Sequence, residues 1–329
     1  MNHISNKMEK TPLGNTGIEV TPVGMGTLTM GFSQKNLPIV EGAAVIRYAV
    51  EAGINFLDTA QYYDTYRYIR PALAKIKSDG QPLPVICSKT LETGYDETVQ
   101  AVEECLQELD IPVVDIFLLH EVRSTADFYQ RSDAWKALID LKNRGIIRAI
   151  GISTHHVDAC LEMSHIPACD VVFPLINRAG LGIRNGNNPG TRKEMEDAIS
   201  ACVNAGIGIF TMKAFGGGNL IVDYRECLDY ASSIPGNSSV MIGMANTKQV
   251  DAAIQYFTQK LPEDYQPDTS GKRLMVDQSD CEGCGTCKSR CVSQAIFWNE
   301  NGLAEIDPAK CVHCGYCAPV CPVRAIIFL

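Results

Sequence analysis

The chain has 329 residues, 46% of them apolar and 20% charged, an ordinary globular composition that can bury one barrel-sized core and leave room for a small appendage. Its formal charge of −9 and pI near 5.2 argue against nucleic acid and anionic membrane as partners, because both demand a positive surface. The polar start, residues 1–10, has no apolar signal core, and no uninterrupted apolar run is long enough to span a bilayer, so a cytoplasmic location is expected.

Residues 10–20 read as a hairpin turning at Asn15-Thr16-Gly17. Apolar runs of strand length then recur about every thirty residues, at 23–26, 55–58, 85–88, 114–119, 149–152, 171–174, 208–212 and 240–243. Segments of helical periodicity lie between them, such as 41–52, 96–109, 134–144, 192–205 and 248–257. Eight βα repeats without a long structureless interval predict an α/β fold, a closed (β/α)8 TIM barrel over residues 1–260 with the hairpin capping its bottom. Residues 261–272, with two prolines, a glycine and several charges, read as a linker to a small α+β domain at 273–329.

In such a barrel the chemistry lies where strands end, so polar residues there are the candidates. Asp58 ends the second strand, Lys89 the third and His120 the fourth, and Tyr63, five residues after Asp58, can fold back over the same mouth. Any one alone reads as a structural ion pair or a helix cap. Together they suit carbonyl chemistry: oxygen gains negative charge on reduction and needs a proton donor with electrostatic support. A phenol can donate if a neighbouring ammonium lowers its pKa, the role expected of Lys89, with Asp58 orienting Lys89 and His120 orienting the carbonyl or sharing the proton.

Over residues 10–257 the chain resembles the aldo-keto reductases, whose catalytic Asp, Tyr, Lys and His stand at these strand ends with this spacing. The resemblance implies NAD(P)H as a cofactor, with the nicotinamide near Ser153 and Thr154 after Gly151-Ile152, Phe173 against the ring, and the pyrophosphate by Lys213 and the run Gly216, Gly217, Gly218. Bare backbone amides suit a phosphate, although a glycine run also reads as a flexible loop. The chain departs from the family pattern at several cofactor positions. Thr154 stands for the usual Asn and Phe173 for a Gln; Gln249 and Gly243 stand for basic residues on the adenosine 2′-phosphate; and Tyr66 and Arg67 follow the tyrosine. A 2′-phosphate would lack its bidentate partner.

Eight of the fourteen cysteines form two copies of one spacing, Cys281, Cys284, Cys287, Cys291 and Cys311, Cys314, Cys317, Cys321, offset by 311 − 281 = 30 residues. Three cysteines two residues apart grip one [4Fe–4S] cube while the fourth ligates the other cube. One cluster then takes Cys281, Cys284, Cys287 and Cys321, and the other Cys311, Cys314, Cys317 and Cys291. A zinc site or disulfide framework is the plainer alternative, but neither matches three in a row plus one, twice. The segment resembles bacterial two-cluster ferredoxins, with the Cys321-Pro322 step in the second copy and Val292 in its place in the first. The other six cysteines show no pairing pattern and suit reduced core thiols.

The expected function is an aldo-keto reductase-type oxidoreductase on a small carbonyl or alcohol, with the fused domain moving electrons and an electron-transfer protein as partner. A cluster moves single electrons and a nicotinamide a hydride, so direct exchange is disfavoured. The donor stays open between NADPH, NADH, a flavin and the clusters alone. A cluster-fed reductase without NAD(P)H, or a redox- or nucleotide-sensing binding protein with a weak barrel, are the alternatives.

Overall fold

A computed structural model describes residues 8–186 and 188–329; most of the polar start, residues 1–7, lies outside them. Eight parallel strands close into a barrel in sequence order: β1 Val23–Gly26, β2 Phe56–Asp58, β3 Val85–Thr90, β4 Val114–Leu119, β5 Ile147–Thr154, β6 Val171–Pro174, β7 Gly208–Thr211 and β8 Asn237–Gly243. These strands are buried almost throughout, which is why they read as apolar runs rather than alternating ones. The helix Tyr66–Ser78 tolerates Pro71 within it and presents Tyr68, Ile69, Leu73 and Ile76 to the barrel wall.

Inside the barrel, Phe56, Ile116, Leu118, Phe173 and Phe210 form one apolar cluster with Leu13, Ile18 and Val20 from the hairpin beneath. Phe173 stacks on Phe210 at 4.2 Å between ring centroids and Phe56 meets Phe210 edge-on at 5.0 Å. The hairpin pairs Thr11–Pro12 with Glu19–Val20, and it is tied to the barrel floor by Asn15 N–H donating to the Gly206 carbonyl at 3.0 Å and Ser238 Oγ to the Pro12 carbonyl at 2.8 Å. A Cβ at Gly14 would stand 2.3 Å from the Gly208 nitrogen, so only glycine lets the plug seat this deeply. Burial of each such large apolar side chain is worth roughly 1.5–3 kcal/mol.

Residues 273–329 gather an apolar cluster of their own, including Leu274, Val276, Ile296, Ala304 and Ile326. It is framed by two antiparallel pairs, β9 Leu274–Val276 with β12 Ile326–Phe328, and β10 Ile296–Trp298 with β11 Ala304–Ile306. The segment sits on the strand-end face of the barrel. Phe328 N–H donates to the Gly217 carbonyl at 2.9 Å, and Asn219 Nδ2 donates to the Ile326 carbonyl at 2.8 Å. Among the described residues no helix is long and apolar enough to cross a membrane.

Candidate active site

Asp58 closes β2, and its strand neighbours fix the turn that follows. Thr59 Oγ1 meets Thr65 Oγ1 at 2.7 Å, which in turn meets Thr27 Oγ1 at 2.9 Å, a buried hydroxyl chain that anchors the short turn Gln61–Tyr63 over the mouth. Lys89, on β3, is fully buried. Its ammonium pairs with Asp58 Oδ1 at 2.7 Å, donates to the Thr59 carbonyl at 2.5 Å and lies 4.9 Å from the Tyr63 ring centroid. His120 directly follows β4; its carbonyl accepts from the buried Arg131 at 2.8 Å, and its Nε2 stands 3.2 Å from Tyr63 Oη. The structure therefore brings Asp58, Tyr63, Lys89 and His120 into one site, while Tyr62 turns outward and is 41% exposed.

The electrostatics differ from expectation in one respect. Lys89 faces the Tyr63 ring with Asp58 and Thr59 as its partners, and the phenol is not made more acidic. Burial above all, then the charges of Asp58, Glu121, Asp277 and Asp280, push it well above the ordinary phenol range. Burial first and the Lys89 charge second push His120 well below the ordinary imidazole range. At neutral pH the pair is thus a protonated phenol beside a neutral imidazole. Asp58 is raised by burial, against the lowering effect of Lys89.

The pocket above the tetrad is also lined by Glu121, Ser153, Thr154, His155 and Lys213, and by three residues of the C-terminal segment, Asp277, Ser279 and Asp280. The last three, with Glu121 and His155, escaped the sequence reading. Nothing local marks them; only the position of Asp280 immediately before Cys281 could have drawn notice. Glu121 is raised to about 7 by burial first and by Asp280 second, despite its 3.2 Å pairing with Arg123.

The residues expected at a dinucleotide are engaged otherwise. Phe173, expected against a nicotinamide ring, is only 3% exposed, stacks on Phe210 and lies 5.5 Å from the Lys89 ammonium. Ser153 Oγ accepts from the Glu121 amide at 3.0 Å, and Thr154 Oγ1 donates to the Val122 carbonyl at 2.6 Å, so both hydroxyls clamp the loop after β4. Lys213 forms an ion pair with Asp280. Burial works against the charge of Lys213, but Asp280, Asp277 and Glu121 together raise its pKa. A Cβ at Gly216 would meet Leu181 and Leu220, and one at Gly218 would stand 2.1 Å from the Phe328 carbonyl oxygen, so β12 covers this loop. Gln249 accepts from the Ala245 amide at 2.7 Å, and a Cβ at Gly243 would meet Thr29 Oγ1 at 2.1 Å.

The eight C-terminal cysteines fall into two groups. One cavity is lined by Cys281, Cys284, Cys287 and Cys321, and another by Cys291, Cys311, Cys314 and Cys317. Each cavity takes three thiols from one motif and one from the other. Among the described residues no three His, Cys, Asp or Glu side chains converge tightly enough for a single ion. Four thiols drawn three from one motif and one from the other are the donor set that a [4Fe–4S] cube takes. The Ala295 amide donates to Cys291 Sγ at 3.2 Å, a bond that favours a thiolate there.

A model of the aldo/keto reductase family matches residues 22–226, more than half of the chain. The chain belongs to the aldo/keto reductase family. A 4Fe-4S binding domain model matches residues 304–327, the stretch holding the second cysteine motif. Methylglyoxal reductase DkgA of Salmonella typhimurium is 27% identical over 179 residues, covering 53% of this aldo/keto reductase chain and 62% of DkgA. A Pseudomonas aeruginosa aldo-keto reductase has a similar structure, with a TM-score of 0.63 at 25% identity over 77% of this chain and 96% of that one. The Bombyx mori aldo-keto reductase AKR2E4, solved in complex with NADP, shares the fold with a TM-score of 0.60 at 18% identity, over 80% of this chain and 90% of that one.

Proposed function

We propose that this aldo/keto reductase interconverts a small carbonyl compound and its alcohol at Tyr63, and that its reducing equivalents pass through iron–sulfur clusters rather than a dinucleotide in the barrel cleft. On this reading residues 1–260 form the reductase barrel, 261–272 the linker and 273–329 a domain with two [4Fe–4S] clusters. One would be held by Cys281, Cys284, Cys287 and Cys321, the other by Cys291, Cys311, Cys314 and Cys317. Such clusters supply electrons one at a time. The observation that supports the reading best is that Asp280 lines the tetrad pocket and the next residue in the chain is Cys281, about 3.8 Å away between Cα atoms.

Reduction of a carbonyl to an alcohol takes two electrons and two protons. Tyr63 gives the proton to oxygen and recovers one from solvent water once the product leaves, while His120, 3.2 Å from the phenol, keeps it oriented. Lys89 remains paired with Asp58 and contributes positive charge beneath the developing alkoxide. The second proton needs an acid that carries and releases it near neutral pH. Glu121, raised to about 7 in the same pocket, meets that need.

A dinucleotide would find little of its usual support. The glycine loop lies under β12, Lys213 is paired with Asp280, and Glu121, Asp277 and Asp280 line the pocket above the tetrad. The test is an anaerobic optical titration of the cluster-loaded protein with NADH, NADPH and dithionite, followed by single turnover with a carbonyl panel. Dithionite should bleach the clusters and support alcohol formation, with neither nucleotide doing so. Bleaching or turnover with NADPH alone would refute the proposal.

A further inference from the structure

The two cysteine cavities differ in what surrounds them. The first shares Glu282 and Val323 with a cleft that opens onto Glu121, His155 and Asp280, so it faces the barrel mouth. The second shares no lining residue with that cleft or with the tetrad pocket. Val312 lines it at 65% exposed, while Val292 at 71% and Tyr316 at 62% each adjoin a lining residue in the chain. Apolar side chains this open are uncommon on the molecule, and these three belong to the segments that carry the second cavity's cysteines.

Charge sorts the same way. Lys272, Arg273, Lys288, Arg290 and Lys310 lie within two residues of the second cavity's lining, against Glu305 and Asp307. The local balance is 5 − 2 = +3 on a chain whose total is −9. Within the same reach of the first cavity's lining stand Asp277, Asp280, Glu282 and Glu305 against Lys288 and Arg324, a balance of 2 − 4 = −2. An apolar centre with a basic rim on an acidic protein has the chemistry of a docking face for an acidic protein.

Resting on the cluster-fed reading above, we infer that the exposed face around Cys311 and Cys314, centred on Val312 and Tyr316, is where a small acidic one-electron carrier protein docks. Electrons enter there and leave toward Tyr63 from the cavity of Cys281. The charge contrast fixes the direction: a carrier with an acidic face is attracted to the outer cavity and repelled by the carboxylates at the inner one. Each encounter transfers one electron, oxidising the carrier and reducing the outer site, so two encounters supply one carbonyl reduction.

The test uses the full, cluster-loaded chain and a pre-reduced flavodoxin as the acidic carrier, with bleaching of the clusters followed by stopped flow. Steering of this kind raises association rates by about 10- to 1000-fold and is screened by salt. The double variant Arg273→Glu/Lys288→Glu should take electrons from the carrier at least about tenfold more slowly at low salt. Its iron content and its reduction by dithionite should stay unchanged. Wild-type rates should fall steeply as salt rises, and the variant's should not. A second variant, Val312→Ser/Tyr316→Ser, should lower the saturating rate while leaving the salt dependence intact. Equal rates in wild type and both variants, or equally fast delivery by a basic cytochrome, would overturn the docking assignment. Failure of the cluster-fed reading is distinct: the carrier would bleach the clusters with the predicted salt dependence, yet no alcohol would form.

Discussion

Replacing Lys89 by Met strands the Asp58 carboxylate in a site that is closed to water. The two charges stand 2.7 Å apart with side-chain exposures of 1% and 8%. At an effective dielectric of 20 their attraction is roughly 6 kcal/mol. Part of this is offset because the variant no longer buries an ammonium and because Asp58 takes up a proton, so the net loss should be about 3–5 kcal/mol. Burial already raises the Asp58 pKa in the folded protein, and Lys89 is the main influence lowering it. Without Lys89 it rises further. A carboxyl raised on folding binds more protons folded than unfolded, so stability falls as pH climbs from the ordinary carboxylate value through the folded one. The deficit of Lys89→Met should therefore be small near pH 4 and reach its full size at pH 8. Anaerobic urea unfolding by far-UV circular dichroism, at matched iron content, reads it as a shift in midpoint with unchanged slope. Lys89→Met/Asp58→Asn should recover most of the loss. A deficit below about 1 kcal/mol at pH 8, one that is flat with pH, or a double variant no better than the single one, would refute the picture of a dry ion pair.

Tyr63→Phe should lower carbonyl turnover by two to four orders of magnitude, about 3–5 kcal/mol in the barrier. Tyr62→Phe should change it little, since Tyr62 points to solvent; comparable losses in steady-state rates would show that the donor is misassigned. Cys321→Ala should damage the site completed by Cys281, Cys284 and Cys287, seen as selective loss of one of two paramagnetic signals after reduction. Gly218→Ala places a methyl against the Phe328 carbonyl at a backbone φ of +86° and should loosen β12 by about 1–3 kcal/mol, read as faster amide exchange over residues 326–329. Glu121 is raised on folding from 4.5 to about 7, so its ionisation weakens the fold by roughly 3 kcal/mol once pH exceeds 7. Glu121→Gln should therefore flatten the decline in urea midpoint between pH 5 and pH 8.

The parts of this architecture that depend on local repetition were readable from the chain. Buried parallel strands announce themselves as apolar runs, and β1, β4 and β6 have the expected bounds. The grouping of the cysteines was legible too, because the spacing alone pairs three thiols of one motif with one of the other, and two cavities are lined that way. Asp58, Tyr63, Lys89 and His120 could be picked out because strand ends converge in a closed barrel. What was hidden depends on packing between distant segments. Asp277 and Asp280 reach a pocket whose other walls were laid down more than sixty residues earlier, and no periodicity encodes that meeting. The glycine run looked like a phosphate cradle because its backbone is bare, and the same bareness lets β12 lie against it. Phe173 reads as facing a nicotinamide ring, and its stacking on Phe210 has no mark in the sequence.

The roof formed by Asp277, Ser279 and Asp280 means that a substrate entering this pocket is measured by a wall that lies outside the barrel strands, just before the first cysteine motif. On the cluster-fed proposal, selectivity and electron supply are inherited together. Exchanging residues 273–329 for those of a relative would transplant a preference among carbonyl compounds along with the wiring, while redesign confined to the barrel would reach only half of the recognition surface.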